Sequence, residues 1–262
     1  AAYAGATAGV AALFAIMTKV GFYAMVRVYA LAFADGPFAG LGQSALWWLA
    51  LVTLALACVG VLGSKRLGTL VSYLVVMSVG TLVAALAFGQ LEALGPALYY
   101  LLHSTLICGG LFLLADLIAR GRGEVADHLQ IGPAILNGGR LSVLFFVAAI
   151  AVVGLPPLSG FVGKVALLRS VPDPAYWVLL LVAGLCGLIA LSRAGSTLFW
   201  RTTGEGSGLR PARRHLVAVL WLLLLSPLMT VYAEPLLQLT TAVADQLRDP
   251  DLYLSAVLGG DA

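Results

Sequence analysis

Gly154-Leu155-Pro156-Pro157-Leu158-Ser159-Gly160-Phe161-Val162-Gly163-Lys164 interrupts an apolar segment that runs from about Leu141 to Val171. An unbroken helix over that segment would be roughly 46 Å long at ~1.5 Å per residue, against a hydrocarbon core of ~30 Å. Pro156 and Pro157 each lack the backbone N–H that a helix interior needs, and the glycines loosen the chain around them. The segment therefore reads as two half-helices meeting near a bilayer midplane, with Pro156, Pro157 and Gly160 as the hinge. Irregular backbone at that depth persists only where protein or a water-filled cavity surrounds it. An ammonium there costs at least ~2.5–3.5 kcal/mol on insertion scales, so Lys164, one turn past the break, calls for a chemical reason.

The rest of the chain supports a membrane setting. Of 262 residues, 61% are hydrophobic and only 10% charged, and the mean hydropathy is +1.01. No soluble domain of this size has that composition; the fold class is an all-α polytopic membrane protein. Residues 1–262 read as a single transmembrane domain. The chain opens on Ala1 inside an apolar stretch with no signal-peptide layout, which predicts that its natural beginning lies upstream. Cys58, Cys108 and Cys186 fall inside predicted spans without metal-ligand spacing, so they read as small buried apolar residues. No metal site and no cofactor motif is legible, and the scattered basic residues form no nucleic-acid patch.

Seven apolar stretches follow one another at about 4–33, 44–63, 68–89, 96–119, 141–171, 175–199 and 215–237. Each is long enough to cross a bilayer as a helix. The connections 64–67, 120–140 and 200–214 carry nine basic residues: Lys65, Arg66, Arg120, Arg122, Arg140, Arg201, Arg210, Arg213 and Arg214. The opposite connections and span ends offer three, Arg27, Arg169 and Arg248. This bias makes the first face cytoplasmic, with the N-terminus on that side and the C-terminus outside. Trp47, Trp48, Tyr99, Tyr100, Tyr176, Trp177, Phe199 and Trp200 lie near span ends, as an interfacial aromatic belt should. The tail, 238–262, reads as an outer-side surface helix. Leu236, Leu239, Val243 and Leu247 form its apolar stripe, with Asp245, Arg248, Asp249 and Asp251 off it.

Three ionisable groups are stranded at membrane depth. Lys19 is near the centre of the first span, roughly 20 Å from either end and too far to snorkel. His103 lies about two turns into the fourth span, and Lys164 follows the break. Histidine is the side chain that ordinarily exchanges protons near neutrality. With hydroxyls of Thr18, Ser78, Thr81, Ser104, Thr105 and Ser159 as supports for water, these groups are the parts of a proton wire. Arg27 and Arg193, nearer the span ends, read as structural contacts to carbonyls or the interface. Asp116 reads as a helix-end carboxylate, with a proton entry group as the alternative, and Gly160-x-x-Gly163 as close helix packing.

These residues also carry a family resemblance. The broken segment, Met17-Thr18-Lys19-Val20-Gly21-Phe22-Tyr23-Ala24-Met25-Val26-Arg27 and Tyr99-Tyr100-Leu101-Leu102-His103-Ser104-Thr105-Leu106 together resemble the antiporter-like membrane subunits shared by Mrp-type cation/proton antiporters and respiratory complex I. Leu191-Ser192-Arg193-Ala194-Gly195-Ser196-Thr197-Leu198-Phe199-Trp200 and Ala244-Asp245-Gln246-Leu247-Arg248-Asp249-Pro250 look like the D subunit of the Mrp, or Pha, antiporters. The resemblance implies the C-terminal part, about spans eight to fourteen, of a fourteen-span fold. It matches Lys19, His103 and Lys164 to proton-transfer positions in the family's spans eight, eleven and twelve. The family's span-five glutamate and span-seven lysine would lie upstream. Two departures stand out: Cys108 occupies a position where many members carry lysine, and Ser78 one where complex I relatives often carry histidine.

The expected function is thus a subunit of a multisubunit Na⁺ or K⁺/proton antiporter in a bacterial inner membrane, a secondary transporter and not an enzyme. Its partners would be the other subunits, lipids, protons and the cation. The alternative is a proton-pumping membrane subunit of a complex I-like oxidoreductase or membrane-bound hydrogenase. A purely structural scaffold and an intramembrane serine protease built on Ser159 and His103 are weaker readings; the glycine such proteases favour two residues before the serine is absent.

Overall fold

A computed structural model of the protein describes residues 8–33, 40–89, 91–136, 138–204 and 213–248. Among the described residues, nine α-helices run in the order α1 Ala8–Ala32, α2 Gln43–Gly63, α3 Leu67–Ala87, α4 Leu91–Gly121, α5 Gly138–Val153, α6 Ser159–Ser170, α7 Pro174–Gly195, α8 Arg213–Val231 and α9 Ala233–Arg248. Six of these helices are long and apolar enough to cross a membrane, and α5 is a shorter apolar helix. With α5 and α6 as the two halves of one interrupted crossing, the all-α polytopic reading with about seven spans holds. Among the described residues no β-strand forms, and only two isolated bridges pair backbone between loops.

The bundle is built around α3 and α4. Residues Leu67, Leu70, Val71, Leu74, Val75, Met77, Leu82 and Ala84 bury nearly the whole circumference of α3, as a helix apolar all round must be when neighbours enclose it. α1, α2, α7 and α8 each leave a row of large apolar side chains exposed, including Leu13, Leu56, Leu181 and Trp221. That distribution fits a hydrocarbon surround or further protein, not water. Small residues set the close approaches: a side chain at Gly80 would press on the backbone of Leu54 in α2.

The basic connections 64–67, 120–136 and 201–204 lie together at one end. Arg66 Nε pairs with Asp127 Oδ1 at 2.8 Å, and Asp127 Oδ2 accepts from Gly68 N at 3.0 Å. Asp127 thereby satisfies an orphan amide in the first turn of α3. Leu129 N donates to the Lys65 carbonyl and Thr203 N to the Gly132 carbonyl, each at 2.9 Å. Arg122, only 1% exposed, donates to the carbonyls of His128 and Gln130, both at 2.6 Å, and of Ala126 at 3.3 Å. One guanidinium thus holds the whole connection in shape. Arg193 Nη2 donates to the Leu62 carbonyl at 2.7 Å, and Asp116 pairs with Arg120 one turn on in α4.

Three sequence expectations are corrected by this arrangement. The last span ends at Val231, not 237, because the chain turns at Tyr232 and α9 begins at Ala233, with Pro235 in its first turn where a missing N–H costs nothing. The tail helix therefore starts before 238, while residues 249–262, with Asp249 and Asp251, lie outside the described residues, as does the stretch with Arg210. On α9 the buried residues are Thr240, Ala244 and Leu247, whereas Leu239 and Val243 are exposed. The helix turns its small face to α4, where a Cβ at Gly95 would strike Thr241; of the expected stripe, Leu247 is buried here while Leu239 and Val243 face outward, as a stripe meant for the membrane surface or a neighbouring subunit would. Finally, Tyr99, Tyr100 and Tyr176 are core residues and not part of an interfacial belt, in contrast to Trp48, Trp177 and Trp200. Span-end position is legible in a sequence; which face of the helix a tyrosine occupies is set by packing.

Candidate functional site

The helix stops at Val153 and resumes at Ser159. Gly154 takes φ +83°, a left-handed conformation that side chains disfavour, and a Cβ there would also crowd the Lys164 stem at 2.8 Å. The Pro156-Pro157 peptide is cis. The interruption leaves two helix ends facing one another: the carbonyls of α5, carrying partial negative charge, and the first amides of α6, carrying partial positive charge.

Side chains from α4, α6 and α8 converge on these ends. Lys164 Nζ donates to the Val153 carbonyl at 2.6 Å, a cation on the carbonyl end of a helix, where the dipole favours it. His103 Nδ1 lies 2.7 Å from Ser159 Oγ, at the amide end of α6. Gly160 makes the fit possible, since any side chain there would overlap the Ala151 carbonyl and come within 2.8 Å of His103 Nε2. Gly163, one turn on, lets α6 settle against the Tyr99 and Tyr100 rings of α4. Of the hinge residues named from the sequence, Gly160 sits where α5, α6 and His103 meet, while Pro156 and Pro157 are exposed in the connection between the two half-helices.

Lys19 enters from α1. It is 5% exposed and donates to Ser78 Oγ on α3 at 2.5 Å, while Ser78 Oγ donates to the Val75 carbonyl at 2.8 Å. Between this pair and the broken helix is a cavity of about 10 Å³, lined by Ser78, Tyr100, His103, Ser104, Cys108 and Lys164 among others. That is close to the space one water requires. Lys164 also borders an apolar groove of about 310 Å³, lined by Leu155, Phe161, Leu168, Leu181 and Leu185. The amine therefore stands between an interior gap and an open face of the described bundle.

Of the supporting hydroxyls, Ser78 and Ser159 touch the titratable groups, and Ser104 lines the cavity while bonded to the Leu101 carbonyl. Thr18 and Thr105 are bonded to carbonyls of their own helices, Ala15 and Leu101, and line no part of that cavity. Ser226 on α8 escaped sequence reasoning. Its Oγ is 2.8 Å from Ser159 Oγ and accepts from Ser159 N at 3.3 Å. The signal was a hydroxyl in the middle of Trp221–Thr230, directly before Pro227.

Ser159 and His103 are in contact, as a hydrolytic pair would be, but they are 0% and 1% exposed. The cavity beside the histidine has no room for a peptide. The arrangement is suited to holding and passing charge among buried groups, and not to admitting a polymeric substrate.

A family model described as NADH:quinone oxidoreductase/Mrp antiporter, TM, matches residues 1–190. The chain is 36% identical over 98% of its length to the D subunit of a probable K(+)/H(+) antiporter of Rhizobium meliloti (strain 1021), covering 54% of that relative. It is 32% identical over 98% of its length to the D subunit of the Na(+)/H(+) antiporter of Bacillus subtilis (strain 168), covering 52% of it. The chain thus spans about half the length of these curated relatives. Among solved structures, a chain of the Mrp complex from Dietzia sp. DQ12-45-1b superposes with a TM-score of 0.82 at 22% identity, covering 98% of this chain and 57% of that one. A chain of respiratory complex I from Thermus thermophilus gives 0.70 at 27% identity, covering 92% of this chain and 52% of that one.

Proposed function

The chain belongs to the NADH:quinone oxidoreductase/Mrp antiporter transmembrane family, and from that premise we propose that it forms part of a subunit of a multisubunit monovalent cation/proton antiporter, contributing a membrane-embedded proton path. Lys19, His103 and Lys164 carry the path. The observation that supports this most is their shared boundary: Ser78, the direct partner of Lys19, lines one small cavity together with His103 and Lys164. A proton gained or lost at one amine changes the field at the others, and at interior dielectric such coupling is far stronger than in water. A single water in the cavity connects groups that do not touch.

The relatives in Rhizobium meliloti and Bacillus subtilis bear names with K⁺ and Na⁺ respectively, which supports one of these two as the cation. The partners are the other subunits of the assembly. The membrane is the bacterial inner membrane, with the end bearing Arg66, Arg122 and Arg201 cytoplasmic. Residues 1–262 act as one membrane domain. The test is Lys164→Ala in the complete antiporter, assayed as cation-dependent proton movement in everted vesicles. Exchange lost with assembly intact supports the reading, and full exchange removes Lys164 from it.

A second reading, a proton-pumping subunit of a redox complex, is favoured by the likeness to complex I. Copurification with flavin or iron–sulfur subunits would establish it in place of the antiporter.

A further inference from the structure

Ser226 lies outside the Lys19–His103–Lys164 set, yet it is 1% exposed and its hydroxyl meets the same broken helix. It does two things there. Its oxygen accepts from Ser159 N at 3.3 Å, satisfying a first-turn amide of α6 that Leu158 does not cap with a side chain. Its hydroxyl is also the far end of a chain: His103 Nδ1 to Ser159 Oγ at 2.7 Å, then Ser159 Oγ to Ser226 Oγ at 2.8 Å.

Counting donors and acceptors favours one direction of that chain. Among the described residues, and with the Ser226 side chain where it stands, its hydroxyl proton has one acceptor within reach, Ser159 Oγ. If Ser226 donates to Ser159, the Ser159 proton goes to His103, and Nδ1 is the acceptor. The neutral imidazole then carries its proton on Nε2. In the reverse direction Nδ1 donates, Ser159 donates to Ser226, and the Ser226 proton is left without an acceptor unless the side chain swings away. The reverse also leaves Nε2 as a bare lone pair. That nitrogen has no hydrogen-bond partner among the described residues, and it shares the space at Gly160 with the Ala151 carbonyl oxygen. Two lone pairs facing one small space repel, whereas an N–H beside a carbonyl is attracted.

We propose that Ser226 is a positioning residue that, through Ser159, holds neutral His103 in the tautomer bearing its proton on Nε2. The proton is thereby presented to the carbonyl end of α5, the end on which Lys164 is bound. The role rests on the proposed part of His103 in proton transfer, and it places α8 in the mechanism as the element that orients the imidazole. When His103 takes up a second proton, Nδ1 becomes a donor and the serine pair reverses. Ser226 then turns its proton to a carbonyl of its own helix, a bond that serines in helices commonly make.

The experiment is nitrogen-15 NMR of the complete assembly in lipid with labelled histidine, the His103 signals being identified by their loss in His103→Gln. The native protein is expected to show an unprotonated Nδ1 and a protonated Nε2. Ser226→Ala is expected to show a mixture of tautomers and a roughly fivefold slower exchange, the effect of one neutral hydrogen bond; Ser226→Thr, which keeps the hydroxyl, restores both. A native Nδ1–H tautomer overturns the proposal even if Ser226→Ala fails to assemble, as does a Ser226→Ala spectrum identical to the native one. If His103→Gln exchanges at the native rate, the proton path itself has failed. If His103→Gln is inactive while Ser226→Ala keeps the native tautomer and rate, the Ser226 assignment alone has failed.

Discussion

Lys19 Nζ and Ser78 Oγ lie 2.5 Å apart although 59 residues separate them in sequence. The serine is itself tied to the Val75 carbonyl, so it accepts from the amine with one lone pair while its proton is engaged elsewhere. Ser78→Ala leaves a buried amine without that acceptor, a loss of about 1.5–3 kcal/mol for a hydrogen bond to a charged group. Exchange in everted vesicles should fall roughly tenfold, and Ser78→Thr should recover most of it. Unchanged exchange in Ser78→Ala would take the serine out of the path.

Gly160 and Gly163 are one turn apart and should respond differently to alanine. At Gly160 the added methyl overlaps the Ala151 carbonyl, and backbone cannot step aside. At Gly163 its nearest neighbour is a Tyr100 ring carbon at 3.3 Å, which a small tilt relieves. Overpacking of the first kind costs about 1–3 kcal/mol or more, and the second much less. Gly160→Ala should abolish exchange and lower the thermal midpoint of the purified assembly, while Gly163→Ala stays near native in both.

Arg122 should matter to structure more than to transport. Its removal strips donors from the carbonyls of Ala126, His128 and Gln130 at once. A lysine, with one point charge in place of a fork, cannot serve all three. Limited proteolysis of inside-out vesicles should cut Arg122→Ala within residues 123–136 several-fold faster than the native chain, with Arg122→Lys between them. Equal cleavage would show that the connection is held by other bonds.

Arg193 joins the end of α7 to the carbonyl end of α2 through Leu62. A cation near such an end contributes ~0.3–1 kcal/mol, more where partly buried. Arg193→Ala should lower the thermal midpoint by a few degrees without changing exchange per assembled complex. In the Arg66–Asp127 pair the guanidinium is partly exposed but the carboxylate is buried, so its loss should exceed the ~0–1 kcal/mol of a surface pair.

The parts of this fold legible in sequence were those written as composition. Span existence followed from uninterrupted apolar runs, and the break from Pro156 and Pro157 themselves. Lys19, His103 and Lys164 stood out because charge in hydrocarbon is costly wherever the helix faces. What stayed hidden depended on rotation about helix axes. Tyr99 and Tyr176 look interfacial by position yet are fully buried. Leu239, Val243 and Leu247 share one stripe by spacing, yet of the three only Leu247 is buried within the bundle, alongside Thr240 and Ala244. Ser226 was invisible for the same reason: one hydroxyl among leucines becomes meaningful only once α8 is seen to face Ser159.

The opposed ends of α5 and α6 make the imidazole a gauge of their separation. One of its nitrogens lies at a cathode-like tip and the other beside an anode-like one, so sliding either half-rod by a fraction of an ångström alters the local potential at His103. A neighbour that pushed on Phe161 or Leu155, both open to the outer groove, would thus change the field at the imidazole by mechanical means alone.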